Sequence, residues 1–235
     1  MKSQQTMRTL ALFAGAVINS APLLAPTPCA AQGAQITFNN RLSGIVIAPI
    51  YGLEPSNPQL CKSGNTPAGY PVGTQVYSGA LLAGTSYTAE LWLGPQGAGE
   101  EMLVALTPST TFQTLSLPGF IVSVPIDVPA AVTPGSSITL QMRVWDNRGG
   151  TINSWAMALA DQTVPRGRSP LWVAVMPTVT PPPASSVMAG LRSFNLCQSV
   201  TPPPKLTIML SDTNSVIVAW PSPPTGWTFC RTTQT

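Results

Sequence analysis

The sequence predicts an all-β protein, an antiparallel β-sandwich followed by a partial immunoglobulin- or fibronectin-III-like β module. Three observations carry this. Short apolar or alternating runs recur between turn clusters such as EPSNP, KSGNTPAG, GPQGAG, TPGSS and DNRGG. The 235 residues include 26 prolines and 19 glycines, which interrupt long helices. Composition leans to Thr, Ser, Pro, Gly, Val and Leu, while long runs of Glu, Lys and Ala are missing. Charged residues make up only 8% of the chain, so hydroxyls rather than ions keep the surface wet.

The first element is not part of the fold. Residues 1–33 have the layout of a secretory signal peptide: Lys2 and Arg8 are basic, LALFAGAVI at 10–18 is apolar, and APLLAPTPCAAQG at 21–33 is rich in small residues. The apolar run is too short to span a bilayer, and Pro22, Pro26 and Pro28 break it. Removal of this segment implies a secreted or extracellular protein, with the bacterial envelope as one destination, and no transmembrane span. The formal charge of +3 includes Lys2 and Arg8, so the mature chain is close to neutral. It has no basic stripe for nucleic acid.

Residues 34–198 supply the sandwich. Alternation in QITFN predicts a strand at 35–39, and the apolar run GIVIA another at 44–48. TQVY at 74–77 follows a turn-rich stretch. SYTAELWL at 86–93 alternates Tyr87, Ala89, Leu91 and Leu93 with polar residues. Shorter runs predict strands at 102–106, 111–115 and 120–124. SITLQMRVWD at 137–146 alternates Ile138, Leu140, Met142 and Val144 with polar residues, and strands at 171–175 and 190–196 close the series. The one helix expected is 154–161 (SWAMALAD), with Asn153 as its N-cap. Residues 199–204, ending in Pro202 to Pro204, form a stiff linker. In 205–235 two β-runs flank SDTN as in a hairpin, and a third run follows at Trp227 to Cys230.

The opening ITFNN strand, the YTAELWLGP and QMRVWD strands, the Pro-rich spacer and the SxVIVAWP-like run resemble those of a group of exported β-rich proteins from Verrucomicrobia and related bacteria. The likeness implies export and a β architecture and brings no activity with it.

Three cysteines remain after the expected processing, so at most one disulfide forms within the chain. Cys61 lies in a loop and Cys197 ends the last expected strand of the sandwich, which makes them a candidate pair. There is no histidine, which removes Ser-His-Asp and Cys-His catalysis, His-ligated metal sites and a switch titrating near neutral pH. What survives is carboxylate chemistry from eight acidic residues, of which Glu100 and Glu101 read as solvated loop charges. Gly94, Gly97 and Gly99 are spaced GxxGxG without a following Lys-Ser/Thr, so they read as a hairpin loop rather than a nucleotide cradle. Asp146 and Asn147 read as a capped turn, not a calcium site. No cofactor or metal is called for.

The strongest functional hint is parity. Alternation places Trp92 beside Glu90, and Trp145 beside Arg143, on the polar faces of their strands. Exposed indoles next to hydrogen-bonding side chains make a sugar-binding platform from Trp92, Trp145, Glu90 and Arg143. The reading favoured over this is that a segment around Ser154 to Leu171 covers the strand ends, so that the indoles cap the core at its edge. Three functions follow in order of expectation: a noncatalytic exported protein with a structural or adhesive role, whose partners are polysaccharide or other envelope proteins; a carbohydrate-binding module using exposed tryptophans; and a carboxylate-based glycoside hydrolase. The tail, Lys205 to Thr235, has too little chain to complete a second sheet over Val216, Val218 and Trp220. Limited proteolysis is therefore expected to cut near Val200 to Lys205 and release a folded core; a tail as resistant as the core would contradict this.

Overall fold

Two long strands with strict alternation organise the structure, a computed structural model that describes residues 35–114, 116–178, 186–199, 207–212 and 215–219. The elements in order are β1 (Gln35–Phe38), β2 (Arg41–Leu42), β3 (Val46–Ile47), β4 (Tyr87–Pro95), β5 (Val104–Ala105), β6 (Thr110–Thr111), β7 (Val124–Asp127), β8 (Ser137–Asp146), α1 (Trp155–Ala160), β9 (Arg166–Arg168), β10 (Trp172–Val175), β11 (Thr207–Asp212) and β12 (Ser215–Ala219). Strand accounts for 33% of the chain and helix for 10%, and the sheets are antiparallel and not closed.

All nine residues of β4 pair with β8, from Tyr87 opposite Asp146 to Pro95 opposite Ile138. The flanking strands are each broken in two. On the β8 side, β9 pairs with Arg143 to Trp145 and β10 with Ser137 to Leu140, separated at Ser169 and Pro170. On the β4 side, β5 pairs with Trp92 and Leu93 and β6 with Thr88 and Ala89. The cis Thr107–Pro108 peptide lies between them. Proline cannot donate to a ladder, which suits it to these interruptions.

The inner face of this sheet carries Ala89, Leu91, Leu93, Ile138, Leu140, Met142 and Val144, all buried, and they share one core with Ile36 and Phe38 of β1, Val46 of β3 and Ile126 of β7. Each such aliphatic side chain contributes roughly 1.5–3 kcal/mol by leaving water. β1 and β7 pair antiparallel with Ile36 opposite Ile126.

Between Ala48 and Ser86 the chain has no strand beyond isolated bridges. Turn and loop backbone bonds serve many of its polar groups, and buried asparagines tie further segments that a ladder does not join. Asn40 donates to Ala48 O at 2.8 Å and Gly119 O at 2.9 Å and accepts from Ile121 N at 2.9 Å. Asn65 donates to Pro71 O and accepts from Ser193 N. Asn195 donates to Leu60 O and accepts from Lys62 N at 2.6 Å. Tyr51 and Tyr77 stack with centroids 4.2 Å apart, and the Tyr77 hydroxyl donates within reach of Gly64 O and Ser193 O. Burial holds that hydroxyl protonated far above its ordinary range. Cys61 and Cys197 are joined by a disulfide with Cα atoms 5.2 Å apart across 136 residues. On the chain-entropy account a closure of that length stabilises by about 5 kcal/mol.

Several expected elements differ. Residues 74–77 do not pair as a strand; Gln75 N bonds to Asn65 O and Tyr77 is held through its hydroxyl. Residues 190–196 make only single bridges, Phe194 with Ser63 and Asn195 with Tyr51, after a 3-10 turn at Ser186–Gly190. The runs at 102–106 and 111–115 shrink to the two-residue β5 and β6, and 120–124 gives way to the later β7. The helix begins at Trp155 with Ser154, not Asn153, as N-cap, its hydroxyl accepting from Met157 N at 3.3 Å. β11 and β12 form a hairpin with Ile208 opposite Val218. The expected signal peptide, most of the linker, Trp220 and the run ending at Cys230 lie outside the described residues.

Asn40 makes three buried bonds that alanine cannot replace, including the only one recorded for the Ile121 N–H among the described residues. Asn40→Ala is expected to cost about 3 kcal/mol, read as a lowered urea midpoint. A change under about 0.5 kcal/mol would mean that water takes over these bonds.

Candidate functional site

Alternation along β4 and β8 delivers Glu90, Trp92, Gln141, Arg143 and Trp145 to one face, opposite the core. Glu90 and Arg143 are cross-strand partners, as are Trp92 and Gln141, and Thr88 and Trp145. The sequence therefore brings the four expected residues together. It buries Trp145 and Arg143 and leaves Glu90 and Trp92 half-buried.

Trp145 is fully buried, not exposed. Helix α1 lies over it: Trp145 packs edge-on against Trp155 with centroids 6.2 Å apart, Ala158 and Val164 complete the small cluster, and Trp145 Nε1 donates to Ile152 O at 2.9 Å. Trp155 and Ala158, three apart, form the buried stripe of α1, while Met157 and Leu159 face out. Arg143 is 5% exposed. Its guanidinium carbon sits 3.8 Å from the Trp92 ring centroid and 5.4 Å from that of Trp155, occupying the surface a pyranose would use. Of the pair expected as a platform, Trp145 is thus covered by α1, and half-buried Trp92 is stacked on Arg143.

Arg143 has no carboxylate within ion-pair distance among the described residues. Its Nε donates to Gln141 Oε1 at 2.8 Å and its Nη2 to Glu100 O at 2.9 Å. Burial pulls its pKa below the ordinary arginine value, opposed by the nearby charges of Glu100 and Glu90. The loop after β4 brings Glu100 here. Gly97, at φ 77°, turns that loop, and its N–H donates to Thr139 Oγ1 at 2.8 Å. Glu100 then accepts from Gln141 Nε2 at 2.8 Å and pairs with Arg168 of β9 at 2.7 Å. It is a bound partner rather than the solvated charge expected; Glu101 beside it is exposed.

Glu90 accepts from Trp92 Nε1 at 3.0 Å. Burial raises its pKa, outweighing the Trp92 bond and the Arg143 charge, both of which lower it. A glycoside hydrolase needs one carboxyl held protonated and a second free to act on the sugar. The raised pKa of Glu90 leans towards the first requirement, but Glu100 is occupied by Gln141 and Arg168. Asn147 caps its own turn, accepting from Gly149 N and Gly150 N, and no group of His, Cys, Asp and Glu suited to a metal occurs among the described residues.

Beyond this face, α1 and β9 border a cleft of about 410 Å3 beside the disulfide, lined by Lys62, Ser63, Arg166 and Arg168 among others. Sequence reasoning passed over Arg166 and Arg168 because RGR is too short, and too glycine-marked, to signal a strand. No family model, curated protein or solved structure matches this chain.

Because the folded protein raises the pKa of Glu90 above its ordinary value of 4.5, any stability it lends is present below that pH and is lost as pH rises through the folded value. Glu90→Gln keeps an acceptor for Trp92 Nε1 without the buried charge. Urea midpoints should show the variant at least as stable as the parent at pH 7, with any advantage shrinking towards pH 4. A clear loss at pH 7 would show that the Arg143 charge outweighs burial.

Proposed function

We propose that this is a noncatalytic exported protein with a structural or adhesive role in the cell envelope or extracellular space, built as a β-sandwich over 34–198 with an immunoglobulin-like hairpin segment beyond it. The observation that carries the reading is the Cys61–Cys197 disulfide, which closes nearly the whole domain. Such a bond persists in oxidising compartments and is rare where thiols are kept reduced. It agrees with the signal-like segment at 1–33 and with the exported group that the sequence resembles.

Two further features support it. The core shared by the β4–β8 sheet and the β1–β7 pair suits two layers packed face to face. The polar side chains of the outer face bond to one another and to the segments that cover them, as in a scaffold, and among the described residues of this face Glu90 and Glu100 both have partners.

Cell fractionation tests the proposal. The protein should be found outside the cytoplasm, should begin between residues 31 and 34, and should migrate with the Cys61–Cys197 bond oxidised on a non-reducing gel. Reduced, full-length protein retained in the cytoplasm would overturn it.

A further inference from the structure

The cleft beside the disulfide is bordered by α1 on one side and by β9 and the bridged loop on the other. Among the described residues three cations line it, Lys62, Arg166 and Arg168, and no acidic side chain does. Two of the three are already neutralised outside it: Lys62 Nζ pairs with buried Glu54 at 2.8 Å, and Arg168 with Glu100 at 2.7 Å. Arg166 has no carboxylate within ion-pair distance among the described residues.

Arg166 is nonetheless held firmly. It is 8% exposed, its Nη1 donates to Asp161 O at 3.1 Å and Val164 O at 3.3 Å, and its Nη2 donates to the Ser199 hydroxyl. A guanidinium has five N–H donors, so two remain after these three bonds. Burial lowers its pKa and neighbouring Arg168 adds to the effect, while Asp161 opposes it. The group stays charged all the same. A fixed cation, poor in counter-charge and beside a second one, favours an oxyanion, which arginine takes in two-point geometry.

The remaining walls define what carries that oxyanion. Trp155 and half-exposed Leu159 of α1, with the disulfide sulfurs, give the cleft an apolar side that a bare inorganic ion leaves unfilled. A peptide strand has no edge to join here, because Arg166 and Cys197 already exchange both backbone bonds, at 3.0 and 2.9 Å. A sugar ring bearing a charged substituent fits both requirements, and the cleft volume lies within the roughly 300–1,000 Å3 of small-molecule sites.

We propose that this cleft binds an anionic saccharide, its carboxylate or sulfate held by Arg166 with Arg168 at the rim, and its ring face against α1. The site adjoins the Trp92–Arg143 stack, sharing Trp155 and Arg168 with its covering segments, and does not depend on the scaffold role, which cell location and disulfide state test independently.

Calorimetry with the intact oxidised chain tests it, using trigalacturonate as the carboxylate probe, a sulfated disaccharide as the sulfate probe, and maltotriose and sodium sulfate as controls. At least one acidic sugar should bind about tenfold or more tighter than either control, and more weakly as salt rises. Arg166→Gln alters a buried residue and can fail to fold, so the deciding variants are at exposed positions. Ser63→Asp places a negative charge on the rim and should weaken binding about tenfold, and Arg168→Gln should weaken it several-fold, with folding checked by unchanged circular dichroism. Equal binding of acidic and neutral sugars, binding of inorganic sulfate as tight as that of the acidic sugars, no binding of either acidic sugar, or unchanged affinity in Ser63→Asp would each overturn the proposal.

Discussion

β8 is buried on both faces, and much of the rest of the molecule follows from the need to satisfy its outer one. Nothing need be done for Ile138, Leu140, Met142 and Val144, which enter an ordinary apolar core. Thr139, Gln141, Arg143 and Trp145 are nearly as inaccessible, and each carries a polar group that costs free energy when buried without a partner. Arg143 is the most demanding, since it is a buried charge with no ion pair among the described residues. Its position is made tolerable by the Trp92 face, the Gln141 side chain and the Glu100 carbonyl together.

That requirement fixes the surrounding segments. The loop after β4 lies over Gln141 and Arg143 with Glu100 as its contact, and α1 lies over Trp145 with Trp155 as its own. β9 contributes Arg168 to hold Glu100 from the other side. The broken flanking strands make room for these coverings. Elsewhere the same problem, buried backbone without a ladder, is met by Asn40, Asn65 and Asn195 and by the disulfide, so a domain with short strands keeps its loops fixed.

Periodicity made β4 and β8 legible almost to the residue, and parity correctly put Trp92, Trp145, Glu90 and Arg143 on one face. What alternation cannot report is whether a polar face meets water or another segment. That is decided by chain distant in sequence, here α1 and the loop carrying Glu100. The SWAMALAD run is visible as the helix, and cover of the indoles by a segment around Ser154 to Leu171 is the reading the sequence favours over exposure; what it does not give is the contact of Trp145 with Trp155. The elements at 74–77 and 190–196 failed for a related reason: their extended backbone is bonded by side chains and single bridges, and apolar patterning does not distinguish that from a ladder. Arg166 and Arg168 carried no signal because a three-residue strand is shorter than the period that would reveal it.

If the outer face is an internally satisfied layer, Arg143 and Trp92 must stabilise the fold through each other. A double-mutant cycle with Arg143→Met and Trp92→Leu, measured by urea unfolding of the oxidised protein, isolates that interaction. A coupling free energy of about 1–2 kcal/mol is predicted for a desolvated cation over an indole. Effects that add to within about 0.3 kcal/mol would mean the stack is incidental and the face is free for another purpose.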